Sequence, residues 1–175
     1  HIGATEVPAA VLNDTCAAMM GGRSFKSPGL LFIDTPGHHS FTSLRSRGGQ
    51  LADIAILVVD IMEGLQPQTI ESLEILRRTR TPFVVAGNKV DRLHGWSSEQ
   101  GRAFIASFHD QRKDVQALFE DRFWKLVGMF GEHGFNLERY DRIKDFRTDV
   151  ALVPMSAKEG AVSYTHLRAH ETTLD

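Results

Sequence analysis

Apolar runs of strand length recur along this chain, and each one ends in a polar group. Gly29-Leu30-Leu31-Phe32-Ile33 leads into Asp34, and Ile54-Ala55-Ile56-Leu57-Val58-Val59 into Asp60. Pro82 to Gly87 leads into Asn88, and Val150 to Met155 into Ser156. Short continuous runs of this kind suit strands buried on both faces of a sheet, and Ile54 to Asp60 is expected to be covered on both. Between the runs the period turns helical. Behind Pro67, which suits the first turn of a helix, Ile70, Leu73 and Leu76 recur at three-residue spacing. Val115, Leu118, Phe119, Phe123, Leu126, Val127 and Phe130 line one face of a second helix. Phe104, Ile105 and Phe108 predict another amphipathic helix, with Ser97 or Ser98 as its cap. His1 to Val7 reads as an edge strand. Strands alternating with helices predict an α/β fold, a mostly parallel sheet with helices on both faces.

Open α/β sheets bind ligands at the C-terminal ends of their strands, so the polar groups that close these runs are the candidate site. Asp34-Thr35-Pro36-Gly37-His38 puts a carboxylate at a strand end, where it would hold Mg²⁺ through water. Gly37 would let a backbone N–H approach a terminal phosphate with no Cβ in the way. The same residues also make a good type I or II turn, an alternative the pentapeptide alone leaves open. Asn88-Lys89-Val90-Asp91 has the chemistry of base selection. The Asp91 carboxylate can accept from the ring N–H and exocyclic amine of guanine, whereas adenine presents an acceptor and no amine there. Asn88 would tie this loop to a phosphate loop and reach the base edge, and the aliphatic stem of Lys89 would lie over the purine. In Ser156-Ala157-Lys158 the Ala157 N–H is a donor for the guanine carbonyl, and the Lys158 stem would cover the other face. Asn-Lys-x-Asp alone also turns up on polar loops. Three such motifs in this order, each behind an apolar run, favour a guanine-nucleotide site.

These motifs resemble those of the translation-factor GTPases. Asp-Thr-Pro-Gly-His is the form used there, with a histidine where small signalling GTPases have glutamine. The stretches His1 to Pro8, Leu44 to Gly49, Arg80 to Val85 and Asn88 to Trp96 are similar to the branch of initiation factors that joins ribosomal subunits. The resemblance covers about residues 1 to 160. It implies a P-loop GTPase type of fold, GTP and GDP with Mg²⁺ as ligands, and phosphate contacts from Asp34, Thr35, Pro36, Gly37 and His38. His38 would be the catalytic residue, orienting the attacking water. The implied partners are the ribosome, through ribosomal RNA near its GTPase centre, and initiator tRNA through domains outside this chain. His39 and Ser40 depart from the family's pattern of an acidic and then a small apolar residue.

The Gly-x-x-x-x-Gly-Lys-Ser/Thr loop that cradles the phosphates in such GTPases occurs nowhere in the chain. It is expected upstream, together with the first strand, which in this fold lies between the runs at 29 to 34 and 53 to 60. The chain therefore reads as an internal fragment, with residues 1–160 a partial GTP-binding domain. Two unpaired strand edges would flank the gap, an aggregation hazard, so the isolated chain is expected to fold poorly and to be inactive. After Gly160 the apolar residues keep neither a helical nor a strand period, and residues 161–175 read as a non-native or disordered tail. Two other functions stay in view: a nucleotide-dependent binding module that no longer hydrolyses, and a GTPase of ribosome assembly or RNA modification.

Composition adds bounds. The 175 residues suit one domain, and the net charge of −2 neither marks nor excludes a nucleic-acid partner. A single cysteine, Cys16, rules out an internal disulfide framework and fits a reducing, cytoplasmic setting. No apolar run is long enough to span a membrane. Arg77, Arg78 and Arg80 fall near a helix C-terminus, where the dipole favours cations, with an RNA contact as the alternative. Arg45 and Arg47, ahead of the helix-ending pair Gly48-Gly49, would face ribosomal RNA or solvent.

Overall fold

In a computed structural model of the chain, residues 3–20, 22–35, 52–97, 99 and 102–158 are described. Their elements run β1 (Gly3–Pro8), α1 (Ala9–Met20), β2 (Gly29–Asp34), β3 (Ala55–Asp60), α2 (Pro67–Thr79), β4 (Phe83–Asn88), α3 (Phe104–Asp110), α4 (Lys113–Glu132), β5 (Asn136–Arg139) and β6 (Asp149–Pro154). Four parallel strands form the main sheet, in the order β3-β4-β6-β5. β1 and β2 form a separate antiparallel pair, registered from Gly3 against Asp34 to Pro8 against Gly29. The α/β architecture with a parallel sheet is as expected.

β2 and β3 belong to different sheets, and each is hydrogen-bonded along one edge only among the described strands. The apolar run of β3 is not covered on both faces, contrary to expectation. Leu57 and Val59 enter the core, but Ile56 and Val58, on the opposite face, are 54% and 59% exposed. Alternate side chains of a strand point to opposite faces, and among the described elements only one face of β3 meets the core. β4 lies inside the sheet, and Phe83, Val84, Val85, Ala86 and Gly87 are all buried.

The core forms where α4 and α2 lay their apolar faces on the sheet. Val115, Phe119, Phe123, Leu126 and Phe130 of α4 are buried, as the helical spacing requires, and Leu118 and Val127 pack at its margin. Pro67 opens α2, and Leu73, Ile75 and Leu76 are its buried residues. Arg77 and Arg78 occupy the last turn of α2, while Arg80 is already its left-handed cap. Trp96 stacks on Phe104 at 5.9 Å and Phe104 meets Phe119 at 5.0 Å, so these aromatics build core.

Three features depart from the pattern reading. α1 forms directly behind β1, its buried Leu12 and Cys16 one helical turn apart. β5 is a fourth strand of the main sheet, too short to show a period, with Leu137 and Arg139 buried. The cap of α3 is Ala103, not Ser97 or Ser98, and no side chain caps it. Ser98 lies outside the described residues. Ser97 is instead clasped by Gln111, whose Oε1 accepts from the Ser97 N–H and whose Nε2 donates to the Ser97 carbonyl, both at 2.8 Å. Residues 36–51 and 159–175 lie outside the described residues, and with them Pro36, Gly37, His38, Arg45, Arg47 and the tail.

A charged cluster fixes β5 against α4. Arg139 is 4% exposed and donates to Asp141 at 2.6 and 2.9 Å and to Glu120 at 3.1 Å. Its guanidinium also lies 4.9 Å from the centre of the Phe108 ring. A buried guanidinium is tolerated when its donors are matched and a ring face covers it.

Candidate functional site

Parallel strands bring their C-terminal ends to one edge of the sheet, and β3, β4 and β6 deliver Asp60, Asn88 and the Ser156 segment there. Asp60 and Asn88 are register partners. The Ile61 N–H donates to the Asn88 carbonyl at 3.0 Å, so the two strand ends stay joined past the ladder. On the other side, the Met155 N–H donates to the Gly87 carbonyl at 2.8 Å and the Val90 N–H to the Met155 carbonyl at 3.2 Å.

Asn88 is the hub of this edge. Its Oδ1 accepts from the Lys89 N–H at 2.8 Å and from the Ala157 N–H at 3.0 Å. One carboxamide thus binds the Asn-Lys-x-Asp loop to the Ser-Ala-Lys loop, 69 positions away. The Ala157 N–H, expected to serve the guanine carbonyl, is held beside Asn88. Lys89 takes left-handed backbone angles, φ 70° and ψ 33°, and opens the short 3₁₀ turn Val90–Arg92. For a residue with a Cβ that conformation costs on the order of 1 kcal/mol. Val90 is buried and anchors the turn, while Asp91 is half-buried. Among the described residues no side chain donates to the Asp91 carboxylate, so its acceptors remain available. Ser156 is fully buried and Lys158 exposed.

One residue of this edge was read in the sequence only as a strand end. Asp60 accepts from the Lys89 ammonium at 2.6 Å through Oδ2 and from the Met62 N–H at 2.8 Å through Oδ1. Its side chain is 11% exposed against 41% for Lys89. Burial pushes the Asp60 carboxyl up, but the Lys89 ammonium and the Met62 and Glu63 N–H groups outweigh it and hold the carboxyl below its ordinary value. The signal was an acid ending an apolar run, as Asp34 does. Its partner, 29 positions on, is the lysine whose stem the sequence offers as a cover for the base.

Asp34 ends β2 as an exposed carboxylate, with Thr35 half-buried behind it. No group of three or more metal-ligating side chains occurs among the described residues. A lone strand-end carboxylate fits Mg²⁺, which keeps waters and takes one or two carboxylates plus substrate phosphates. The described part of the site is therefore the strand-end edge that carries Asp60, Asn88, Asp91 and Ser156.

A parallel α/β sheet carrying Asn-Lys-x-Asp and Ser-Ala-Lys on linked strand-end loops is the arrangement of a guanine-nucleotide-binding domain. Residues 6–174 match the model of the elongation factor Tu GTP binding domain, and the chain belongs to that family. It is 52% identical over 160 residues to a probable translation initiation factor IF-2 of Methanocella arvoryzae, and 54% identical over 162 residues to one of Methanopyrus kandleri. Each match covers 91% of this chain and 27% of the relative, so the chain spans about a quarter of their length. Among solved structures, GDP-bound aIF5B from Aeropyrum pernix superposes with a TM-score of 0.82 at 46% identity, over 99% of this chain and 29% of that one. The bacterial selenocysteine-specific elongation factor EF-Sec, at 20% identity and a TM-score of 0.56, shares the fold. No helix among the described residues is long and apolar enough to cross a membrane.

Proposed function

We propose that this chain is the guanine-nucleotide-binding part of a GTP-hydrolysing translation initiation factor of the five-B type, a cytoplasmic protein that acts on the ribosome when its subunits join. The observation that carries the reading is the Asn88 carboxamide, which binds the two base-reading loops together and leaves the Asp91 carboxylate uncommitted. Asp91 accepts from the two guanine N–H groups that adenine lacks. The stems of Lys89 and Lys158 cover the purine faces, Ser156 supports its loop from the core, and the Ala157 N–H, which donates to Asn88 Oδ1 in this structure, would turn to the base carbonyl when the nucleotide binds. Asp34 would hold Mg²⁺ through water, and Thr35, Pro36, Gly37 and His38 would supply the phosphate contacts. The bound ion would neutralise charge developing on the transferred phosphoryl group. His38 orients water for in-line attack, a contribution of position.

This chain has no phosphate-cradling loop of its own sequence, so the 175 residues alone do not turn over GTP. Contacts to initiator tRNA belong to other domains of such a factor. The test is His38→Ala in the full-length factor: GDP and GTP affinities stay within about twofold while ribosome-stimulated hydrolysis falls by roughly two orders of magnitude or more. Unchanged turnover rejects the role of His38, and equal affinity for GDP and ADP rejects the base site.

A further inference from the structure

We propose that Asp60 is a positioning residue for guanine-nucleotide binding, holding Lys89 in place by the contact between its Oδ2 and the Lys89 ammonium. The inference rests on the base site described above and adds a member to it. Lysine has a flexible four-carbon stem, so a lysine that must lie along a purine face loses rotamer freedom when the base arrives. The structure removes much of that freedom beforehand. Lys89 Nζ sits 2.6 Å from Asp60 Oδ2, and the carboxylate is itself fixed, since its other oxygen takes the Met62 N–H at 2.8 Å.

Asp60 is also rigid at the backbone. It is the last β3 residue in register with β4, opposite Asn88, and its carbonyl accepts the Gly64 N–H at 2.9 Å. The carboxylate is nearly enclosed, whereas Lys89 keeps 41% of its side chain in solvent. The ammonium is turned toward the sheet, and the apolar stem is left for the ligand. The lysine is thus pinned at both ends, by the left-handed backbone that Asn88 secures and by Asp60 at the tip. A ligand that needs an ordered lysine stem then binds without ordering it.

The experiment is a double-mutant cycle in the full-length factor, reading the dissociation constant of fluorescent GDP and the melting temperature without nucleotide. Asp60→Asn, nearly isosteric, weakens GDP binding about tenfold. Lys89→Met, which keeps the stem and loses the charge, does the same, and the double variant is no weaker than Lys89→Met alone. Asp60→Glu, which keeps the carboxylate, recovers most of the affinity lost with Asn. A variant of Asp60 that melts early yet keeps GDP affinity overturns the proposal. So does Asp60→Asn that leaves affinity within twofold, or that costs the same tenfold on the Lys89→Met background. Asp91→Asn, measured alongside against GDP and XDP, separates the two readings. If it leaves guanine preference intact, the base site itself is wrong; if it shifts preference while Asp60→Asn does nothing, only the role of Asp60 fails.

Discussion

Replacing Asn88 with alanine removes one acceptor that serves two backbone donors, and the two losses differ in size. The Lys89 N–H, 2.8 Å from Oδ1, is half-buried, so leaving it unpaired costs about 1 kcal/mol. The Ala157 N–H, at 3.0 Å, is on an exposed residue, and water replaces Oδ1 there for a few tenths of a kcal/mol. Stability should fall by about 1–2 kcal/mol, measured by urea denaturation of the domain extended upstream to include a phosphate loop. The larger effect is on binding, because the loops behind β4 and β6 lose the side-chain bond that joins them. GDP affinity should drop about tenfold or more by fluorescence titration. Asn88→Asp keeps the acceptor and should retain most of the stability that alanine loses. An alanine variant unchanged in both stability and GDP affinity would refute the role of Asn88 as the hub.

Two further perturbations test other parts of the molecule. Arg139→Met removes a buried guanidinium from Asp141 and Glu120, whose side chains are 27% and 25% exposed and can be hydrated, and should destabilise the extended domain by about 1–2 kcal/mol in denaturant unfolding. A loss under 1 kcal/mol would mean that α4 and β5 dock without it. The Asp60 carboxyl, held below the 3.8 of an ordinary aspartate, contributes stability that is complete above that value and is lost as pH falls through its folded one. The acid-side decline in melting temperature should therefore be shallower in Asp60→Asn than in the parent, and identical slopes would show that the Lys89 contact adds nothing.

Continuous apolar runs revealed β2, β3, β4 and β6, and helical spacing revealed α2, α3 and α4, because each carries enough apolar positions to show its pattern. β5 was hidden, since four residues hold no period and one of its buried side chains is the guanidinium of Arg139. α1 was hidden by its mixture of small and polar residues around Leu12 and Cys16. The serine cap failed for a different reason: Gln111 holds the Ser97 backbone in a loop, and α3 starts only at Phe104. At the site, the motif residues at the ends of β4 and β6 were legible as types and positions. Their wiring was not. The contacts of Asn88 with Ala157 and of Asp60 with Lys89 join residues far apart in sequence, and only strand order and parallel register bring them together.

The most direct measurement is the base selectivity of Asp91→Asn in the full-length factor. Xanthine carries a carbonyl where guanine carries its exocyclic amine, so an asparagine amide can donate where aspartate must accept. If Asp91 reads the base, the substitution weakens GDP by about 100-fold or more and strengthens XDP, reversing the preference in a competition titration. Retained preference for GDP over XDP, with the affinity of the parent, would contradict a guanine site built on this strand edge.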